Sequence, residues 1–218
     1  MLLNLLIPIS LINDIGIKGA IRVHSFTTQR LLIRPLAKED EHFFSRQYSN
    51  AKVMRHNGGA LTPIEANKAF FHSLKANQRA ISAGKKSVIT WAIVCKSSNS
   101  IIGTQTFSFL MRPHNAKIMN QTAMNETKQA EIGIVLCPKA NGKLFPEEAM
   151  GALMEYGFTY LYFDKINAFY ASKNLATKRF VKKLGFIYNR TLQDDNPENC
   201  YQYAVKCLWQ KKFICHVY

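Results

Sequence analysis

The hydrophobic positions of the chain form compact apolar runs that are typical of strands. Residues 88–96 (VITWAIVCK) and 101–110 (IIGTQTFSFL) are rich in β-branched and aromatic residues, and a polar turn separates them. This arrangement predicts a β-hairpin. Residues 130–137 (AEIGIVLC) are apolar at almost every position and end before Pro138, which predicts a buried strand. Further strands are predicted over residues 30–36, 165–171 and 201–209.

Between these runs, apolar residues recur at the three- to four-residue spacing of helices. Thr62 and Pro63 mark the start of the second predicted helix, and Gly185 ends the last one. The predicted helices cover residues 38–48, 63–79, 147–162 and 175–184. The resulting order, β-α-α-β-β-β-α-β-α-β, predicts an α/β domain on a mixed sheet.

The N-terminal segment differs from the rest of the chain. Residues 1–12 (MLLNLLIPISLI) are apolar, but a helix needs about 20 apolar residues to span a bilayer. The segment also lacks the basic residues that open a secretory signal. We expect an apolar appendage over residues 1–26 without stable membrane insertion, one domain over 27–212, and a tail over 213–218.

The composition is that of a globular protein, with 47% hydrophobic and 20% charged residues among 218. The charge balance is less ordinary, because 29 Lys and Arg against 14 Asp and Glu give a net charge of +15. Such an excess favours polyanionic partners, such as RNA, the ribosome, anionic lipid or a phosphate-rich cofactor. A basic, solvated surface without a partner explains the same number equally well.

The cysteines and histidines do not indicate a metal site. The five cysteines contain no CxxC pair, and the six histidines show neither HxxxH nor HExxH spacing. The odd number of cysteines also argues against a disulfide framework. We therefore expect no metal, reduced thiols and a cytoplasmic location.

The segment after the buried strand suits an anion. A loop over residues 138–146 contains Gly142 and Lys143 and leads into a predicted helix. The first turn of a helix presents unpaired N–H groups and the positive end of the helix dipole, so it binds anions readily. The loop has neither GxGxxG nor GxxxxGK[ST], and the Rossmann and P-loop interpretations therefore lack their residues.

Several segments together carry a resemblance to a known family. They are 28–36 (TQRLLIRPL), 131–136 (EIGIVL), 141–149 (NGKLFPEEA), 166–169 (INAF), 174–177 (NLAT) and 183–186 (KLGF). In their order and spacing they resemble the GCN5-related N-acetyltransferases (GNAT), in particular the ribosomal-protein N-acetyltransferase branch (RimJ/RimL-like). The matching segments extend over most of the predicted domain.

The resemblance implies transfer of an acetyl group from acetyl-CoA to a primary amine, either a protein N-terminus or a small molecule. It also implies a twisted mixed sheet with helices on both faces and two splayed parallel strands that hold the cofactor between them. The implied contacts are with pantetheine at Ile134, Val135, Leu136 and Asn174, and with pyrophosphate at Asn141, Gly142, Lys143, Leu144, Phe145, Pro146 and Glu147.

Two residues are candidates for the chemistry that the resemblance implies. Glu131 would be the general base, directly or through a water, although a surface glutamate or a salt-bridged glutamate fits the same position. Many family members have a tyrosine that protonates the departing thiolate, where this chain has Val181. Thr177 keeps a hydroxyl in the second cofactor motif and would take that role, unless it only caps the helix.

The pyrophosphate loop departs from the family pattern of Gln/Arg-x-x-Gly-x-Gly/Ala. Leu144 places a side chain where a positive φ would favour glycine, and Pro146 has no N–H to donate. Glu147 adds a negative charge beside an anion site. These departures predict weak acetyl-CoA binding, beyond about 100 μM. Two alternative interpretations stay open, a non-catalytic module that docks on RNA or the ribosome, and association with a membrane surface.

Overall fold

One mixed sheet organises the part of the chain that the structure, a computed structural model, describes: residues 24–83, 88–109, 128–140, 142–188 and 198–209. Its eight strands are β1 (Phe26–Thr27), β2 (Leu31–Pro35), β3 (Val88–Cys95), β4 (Ser100–Phe109), β5 (Gln129–Leu136), β6 (Lys165–Ala171), β7 (Ile187–Tyr188) and β8 (Asn199–Val205). They lie in the order β1-β2-β3-β4-β5-β6-β8-β7. Every neighbouring pair is antiparallel except β5 and β6, which are parallel.

Helices cover both faces of this sheet. They are α1 (Glu41–Tyr48), which follows a 3-10 turn (Lys38–Asp40), α2 (Ala51–Met54), α3 (Pro63–Ala83), α4 (Phe145–Thr159) and α5 (Leu175–Lys183). Tyr48 of α1 bonds to Thr104 of β4, whereas Gly157 of α4 lies against Phe107 of the same strand. Since side chains alternate between the two faces of a strand, α1 and α4 lie on opposite sides of the sheet.

Each face has its own hydrophobic cluster. The larger one contains the buried side chains of Trp91, Phe107, Leu153 and Phe158 between the sheet and α4. The smaller one packs α1 and α3 together through Leu36, Phe44, Phe70 and Leu74. The sequence prediction of a mixed sheet with helices on both faces is confirmed.

The parallel pair is short. β5 and β6 pair only through Gln129, Ala130 and Glu131, whose partners are Lys165, Ile166 and Asn167. Beyond these residues β5 continues along β4 and β6 continues along β8, so the two strands part. The splayed strands that the family resemblance implied are therefore present, over residues 132–136 and 168–171.

Some boundaries differ from the sequence predictions. The helix predicted over 147–162 covers Phe145–Thr159. It begins two residues earlier than predicted, because a proline such as Pro146 is tolerated in the first turn of a helix. The strand predicted over 201–209 covers Asn199–Val205, and residues 206–209 are helical. The short elements β1, α2 and β7 were not predicted, because two to four residues are too few to show a hydrophobic period.

The packed part of the chain includes residues before the expected domain start at residue 27. Phe26 is buried in the larger cluster, and the indole nitrogen of Trp91 donates a hydrogen bond to the His24 carbonyl, at 3.1 Å. Residues 1–23 of the expected appendage and the expected tail over 213–218 lie outside the described residues.

Two glycines of α4 give a test of the larger cluster. A Cβ at Gly157 would lie 2.8 Å from Cζ of Phe107 and 3.0 Å from Cδ2 of Phe163, closer than packed carbon atoms approach. Gly157→Ala is therefore expected to lower the free energy of unfolding by about 1–3 kcal/mol, measured by chemical denaturation.

The matched control is Gly151→Ala in the same helix. A Cβ at Gly151 meets Cδ2 of Leu184 at 3.5 Å, an ordinary contact. Because alanine favours helix over glycine by about 1 kcal/mol, this change is expected to be neutral or stabilising. Equal effects of the two substitutions would contradict the packing described for Gly157.

Candidate active site

The parting of β5 and β6 opens a slot that passes through the sheet. The cavity there has a volume of about 240 Å³ and is lined from both faces. On the side of α1 it is bordered by Tyr48, Thr104 and Glu131, and on the side of α4 and α5 by Met150 and Thr177. One face is thus mainly polar, and the other combines apolar side chains with a helix N-terminus.

Backbone polar groups of β5 face this slot. Cys137 donates its N–H to Ile102 on the β4 side, whereas the Lys128 carbonyl accepts from Asp164 on the β6 side. Because backbone groups alternate between the two edges of a strand, the N–H and C=O of Ile132, Ile134 and Leu136 point away from β4. No strand pairs with them there within the described residues.

The backbone of Val135 has the other orientation. Its carbonyl lies on the β4 side and accepts a hydrogen bond from Nε2 of Gln47 in α1, at 2.9 Å. Its side chain lines the slot. Among the three β5 residues expected to pair with pantetheine, only Ile134 and Leu136 therefore present backbone groups to the gap.

Asn167 lies at the point where the strands part. It is fully buried, its Nδ2 donates to the Ala130 carbonyl at 3.2 Å, and its Oδ1 accepts from the Tyr201 hydroxyl at 2.5 Å. The Asn167 side chain therefore donates a hydrogen bond to the Ala130 carbonyl at the place where the parallel pairing of β5 and β6 ends. Sequence reasoning missed this residue, although an asparagine inside the apolar run KINAFYA is a signal that could have found it.

Glu131 follows immediately on β5. Its carboxyl group is half-buried at the polar side of the slot, and burial raises the pKa of this carboxyl above its ordinary value. A base with a raised pKa is a stronger proton acceptor, provided that it is ionised at the working pH. The ion pairs among the described residues do not include Glu131.

Asn174 and Thr177 meet at the start of α5. The Oδ1 of Asn174 accepts the backbone N–H of Thr177 at 3.2 Å, which makes Asn174 the N-cap of the helix. Both residues line the slot together with Glu131, Ile134 and Val135. The structure therefore brings five of the expected site residues into one cavity, and the Thr177 side chain is not the cap.

The expected pyrophosphate loop lies at the N-terminus of α4. Gly142 and Leu144 both have positive φ, of 74° and 58°, so the left-handed backbone expected at Leu144 is present. A non-glycine residue pays about 1–2 kcal/mol for this conformation. Residues 142–147 do not line the slot cavity, and Asn141 lies outside the described residues.

The two carboxylates in the first turn of α4 are paired with basic side chains. Glu147 accepts from Nζ of Lys183 in α5 at 3.2 Å, and Glu148 bonds to Arg30 in the turn between β1 and β2. The negative charge that Glu147 was expected to add beside an anion is thus offset by Lys183. Both partners of that pair are partly exposed, so its contribution to stability is small.

Comparison with known proteins identifies the family. Residues 30–187 match the family model described as an acetyltransferase (GNAT) domain. The chain belongs to the GNAT acetyltransferases. Among curated relatives, an uncharacterized N-acetyltransferase of Bacillus subtilis, YoaA, is 26% identical over 160 residues, which are 73% of this chain and 80% of YoaA.

Solved structures show the same fold. Spermidine N-acetyltransferase from Vibrio cholerae, in complex with CoA and spermine, has a TM-score of 0.63 at 17% identity, covering 83% of this chain and 98% of that one. Ribosomal-protein-S5-alanine acetyltransferase from Vibrio fischeri has a TM-score of 0.60 at 15% identity, covering 85% and 98%. The family model, together with this fold, shows that the protein is a GNAT acetyltransferase, a family whose acetyl donor is acetyl-CoA.

The strained loop of this GNAT protein gives a second test. Leu144→Gly removes the Cβ that disfavours a positive φ, and the leucine side chain is 51% exposed, so little packing is lost. The change is expected to tighten acetyl-CoA binding several-fold and, with Pro146→Ala restoring one N–H, about tenfold, measured by calorimetry.

Leu144→Ala is the matched control, because it shortens the side chain but keeps the Cβ. It is expected to leave the affinity for acetyl-CoA unchanged. Sub-micromolar binding by the unmodified protein, or equal gains from the alanine and glycine variants, would show that the loop backbone does not limit affinity.

Proposed function

We propose that this protein transfers the acetyl group of acetyl-CoA to a primary amine by direct attack of the neutral amine. The observation that carries this proposal is the slot through the sheet, which joins Glu131 on one face to the N-terminus of α5 on the other. An acceptor and a donor can therefore approach the same point from opposite sides.

The residues around the slot fit acetyl-CoA. In the described part of the chain, no strand neighbours the backbone groups of Ile134 and Leu136 on the slot side, so an extended amide-bearing arm can bond to them as a further strand would. The N-terminus of α4, although Pro146 removes one donor, and the exposed Lys143 suit a diphosphate. Bound acetyl-CoA supplies the activated acetyl group as a thioester.

Glu131 is proposed to accept the proton of the attacking amine. An α-amino group has a pKa of about 7.7–8.0, so much of it is already neutral near physiological pH, whereas a lysine-like amine has a pKa of about 10.4 and depends more on a base. The half-buried position of Glu131 favours this role, because partial burial raises the pKa of its carboxyl group and so strengthens the base.

Thr177 is proposed to donate a proton toward the departing sulfur. Its hydroxyl belongs to a residue that lines the slot, while its backbone N–H is held by Asn174. The position that is a tyrosine in many relatives is Val181, which is fully buried here. In the second cofactor motif, residues 174–177, Thr177 is therefore the residue that carries a hydroxyl and lines the slot.

The acceptor is proposed to enter on the polar face. A second cavity on that side continues past Asn57 and along the rings of Phe169 and Tyr201, whose centroids are 4.7 Å apart. A protein N-terminus and a small amine both remain candidates. The net charge of +15 supports proximity to RNA or the ribosome, and with it the RimJ/RimL-like branch, as part of the proposal.

The non-catalytic interpretation has less support. A purely non-catalytic module would not need a half-buried carboxyl in the slot, and family membership favours an enzyme. Over the described ranges, no helix is long and apolar enough to cross a membrane. A cytoplasmic location remains part of the proposal.

Glu131→Gln tests the proposed base. Because only proton acceptance is lost, turnover of a lysine-like amine is expected to fall about 100-fold, with a smaller loss for an α-amine of similar size. In the unmodified enzyme, activity is expected to fall as the pH drops through the raised pKa of Glu131. Thiol release across a pH series measures both effects.

The stability of the same variant is the control. Burial raises the folded-state pKa of Glu131 above the unfolded value, so ionised Glu131 destabilises the fold. This loss is absent below the unfolded pKa of about 4.3 and is complete once the pH has risen through the folded pKa. The variant should thus melt higher than the unmodified protein near neutral pH, and unchanged turnover in a stable variant would remove Glu131 from the mechanism.

Thr177→Val tests the proposed acid with a side chain of nearly the same shape. The backbone bond from Thr177 to Asn174 is retained, so α5 should keep its N-cap. We expect the rate of the chemical step to fall about tenfold in single-turnover thiol release, with little change in acetyl-CoA affinity. An unchanged single-turnover rate would leave this hydroxyl without a catalytic role.

A further inference from the structure

A cluster of contacts joins the turn between β1 and β2 to the first turn of α4. The carboxylate of Glu148 is only 10% exposed and accepts hydrogen bonds from the Thr28 hydroxyl, from the backbone N–H of Arg30 and from Nε of Arg30. The last two bonds measure 3.0 and 2.6 Å. The guanidinium also forms an ion pair with the same carboxylate. Arg30 and Glu148 are 118 positions apart in sequence, so their contact is wholly tertiary.

Arg30 also reaches the pyrophosphate loop itself. Its Nη1 donates to the Lys143 carbonyl at 2.9 Å, and its Cζ lies 4.6 Å from the centroid of the Phe145 ring. Lys143 and Phe145 are the two neighbours of Leu144, which has the left-handed backbone. The Arg30 side chain therefore contacts both residues that flank Leu144.

We propose that Arg30, anchored by Glu148, is a positioning residue that sets the loop backbone for the diphosphate of CoA. This inference rests on the proposed function, since it assigns the loop to the CoA diphosphate. A strained backbone persists where its surroundings determine it, and charge-assisted, forked contacts from arginine are strong and directional. In this chain they hold the left-handed backbone that a glycine at residue 144 would adopt without strain.

The test compares two ligands on the full-length protein. CoA carries the diphosphate, whereas pantetheine has the same thiol arm without it. Arg30→Ala is expected to weaken CoA binding about tenfold while changing pantetheine binding less than twofold, by calorimetry and NMR titration. A merely structural role would weaken both ligands alike or neither.

Two further variants make the result specific. Arg30→Lys keeps the charge but loses the forked geometry, so it should recover only part of the CoA affinity. Lys96→Ala removes a hydrogen bond of 2.6 Å to the Thr28 carbonyl in the same turn without touching the loop, so CoA affinity should stay unchanged. Thermal melts of all variants report whether the fold is retained.

The outcomes separate this inference from the function on which it rests. Binding of CoA by the unmodified protein, with equal affinity in Arg30→Ala, would overturn the positioning role alone. An equal loss of CoA and pantetheine binding would also overturn it. Failure of the unmodified protein to bind CoA at millimolar concentration would overturn both proposals.

Discussion

The structure depends on the parallel strands β5 and β6, which pair with each other over only three residues of each strand. Asn167 bonds to the Ala130 carbonyl where the pairing stops, and Tyr201 fixes the asparagine. Beyond that point β5 keeps backbone polar groups on one side that no strand of the described residues satisfies. Such groups need a partner, and a cleft that water or an extended ligand can enter supplies one. The same feature that weakens the sheet thus creates the place where the cofactor arm would be bound.

The position of Glu131 follows from this break. Glu131, one residue after Ala130, lies where the sheet opens, so it is half-buried beside β4 and still lines the cavity. Shelter raises its pKa and lowers the stability of the ionised fold. A fully exposed glutamate would avoid that destabilisation but would be a weaker base. The site therefore combines a local loss of stability with a gain in proton affinity, as is common at catalytic positions.

The sequence predicted the features that local patterns encode. The apolar run of β5, the hairpin of β3 and β4 and the helix after Thr62 all have signals within a few residues, and all are present. The positive φ at Leu144 followed from its alignment with a glycine. Three long-range contacts were not predicted, because each joins segments that only the folded sheet brings together. They are the hydrogen bonds from Asn167 to Ala130, from Gln47 to Val135 and from Arg30 to Glu148.

The loop at α4 shows how such distant contacts change the meaning of a local departure from a family pattern. Read locally, Leu144, Pro146 and Glu147 oppose an anion site by strain, a lost donor and a negative charge. In the folded chain Lys183 offsets the charge of Glu147, and Arg30 holds the residues on both sides of Leu144. The Cβ of Leu144 still disfavours the positive φ that these contacts maintain, and the missing N–H of Pro146 has no compensation in them. One hydrogen bond to a charged group is worth about 1.5–3 kcal/mol, so the remaining deficit weakens the site without removing it.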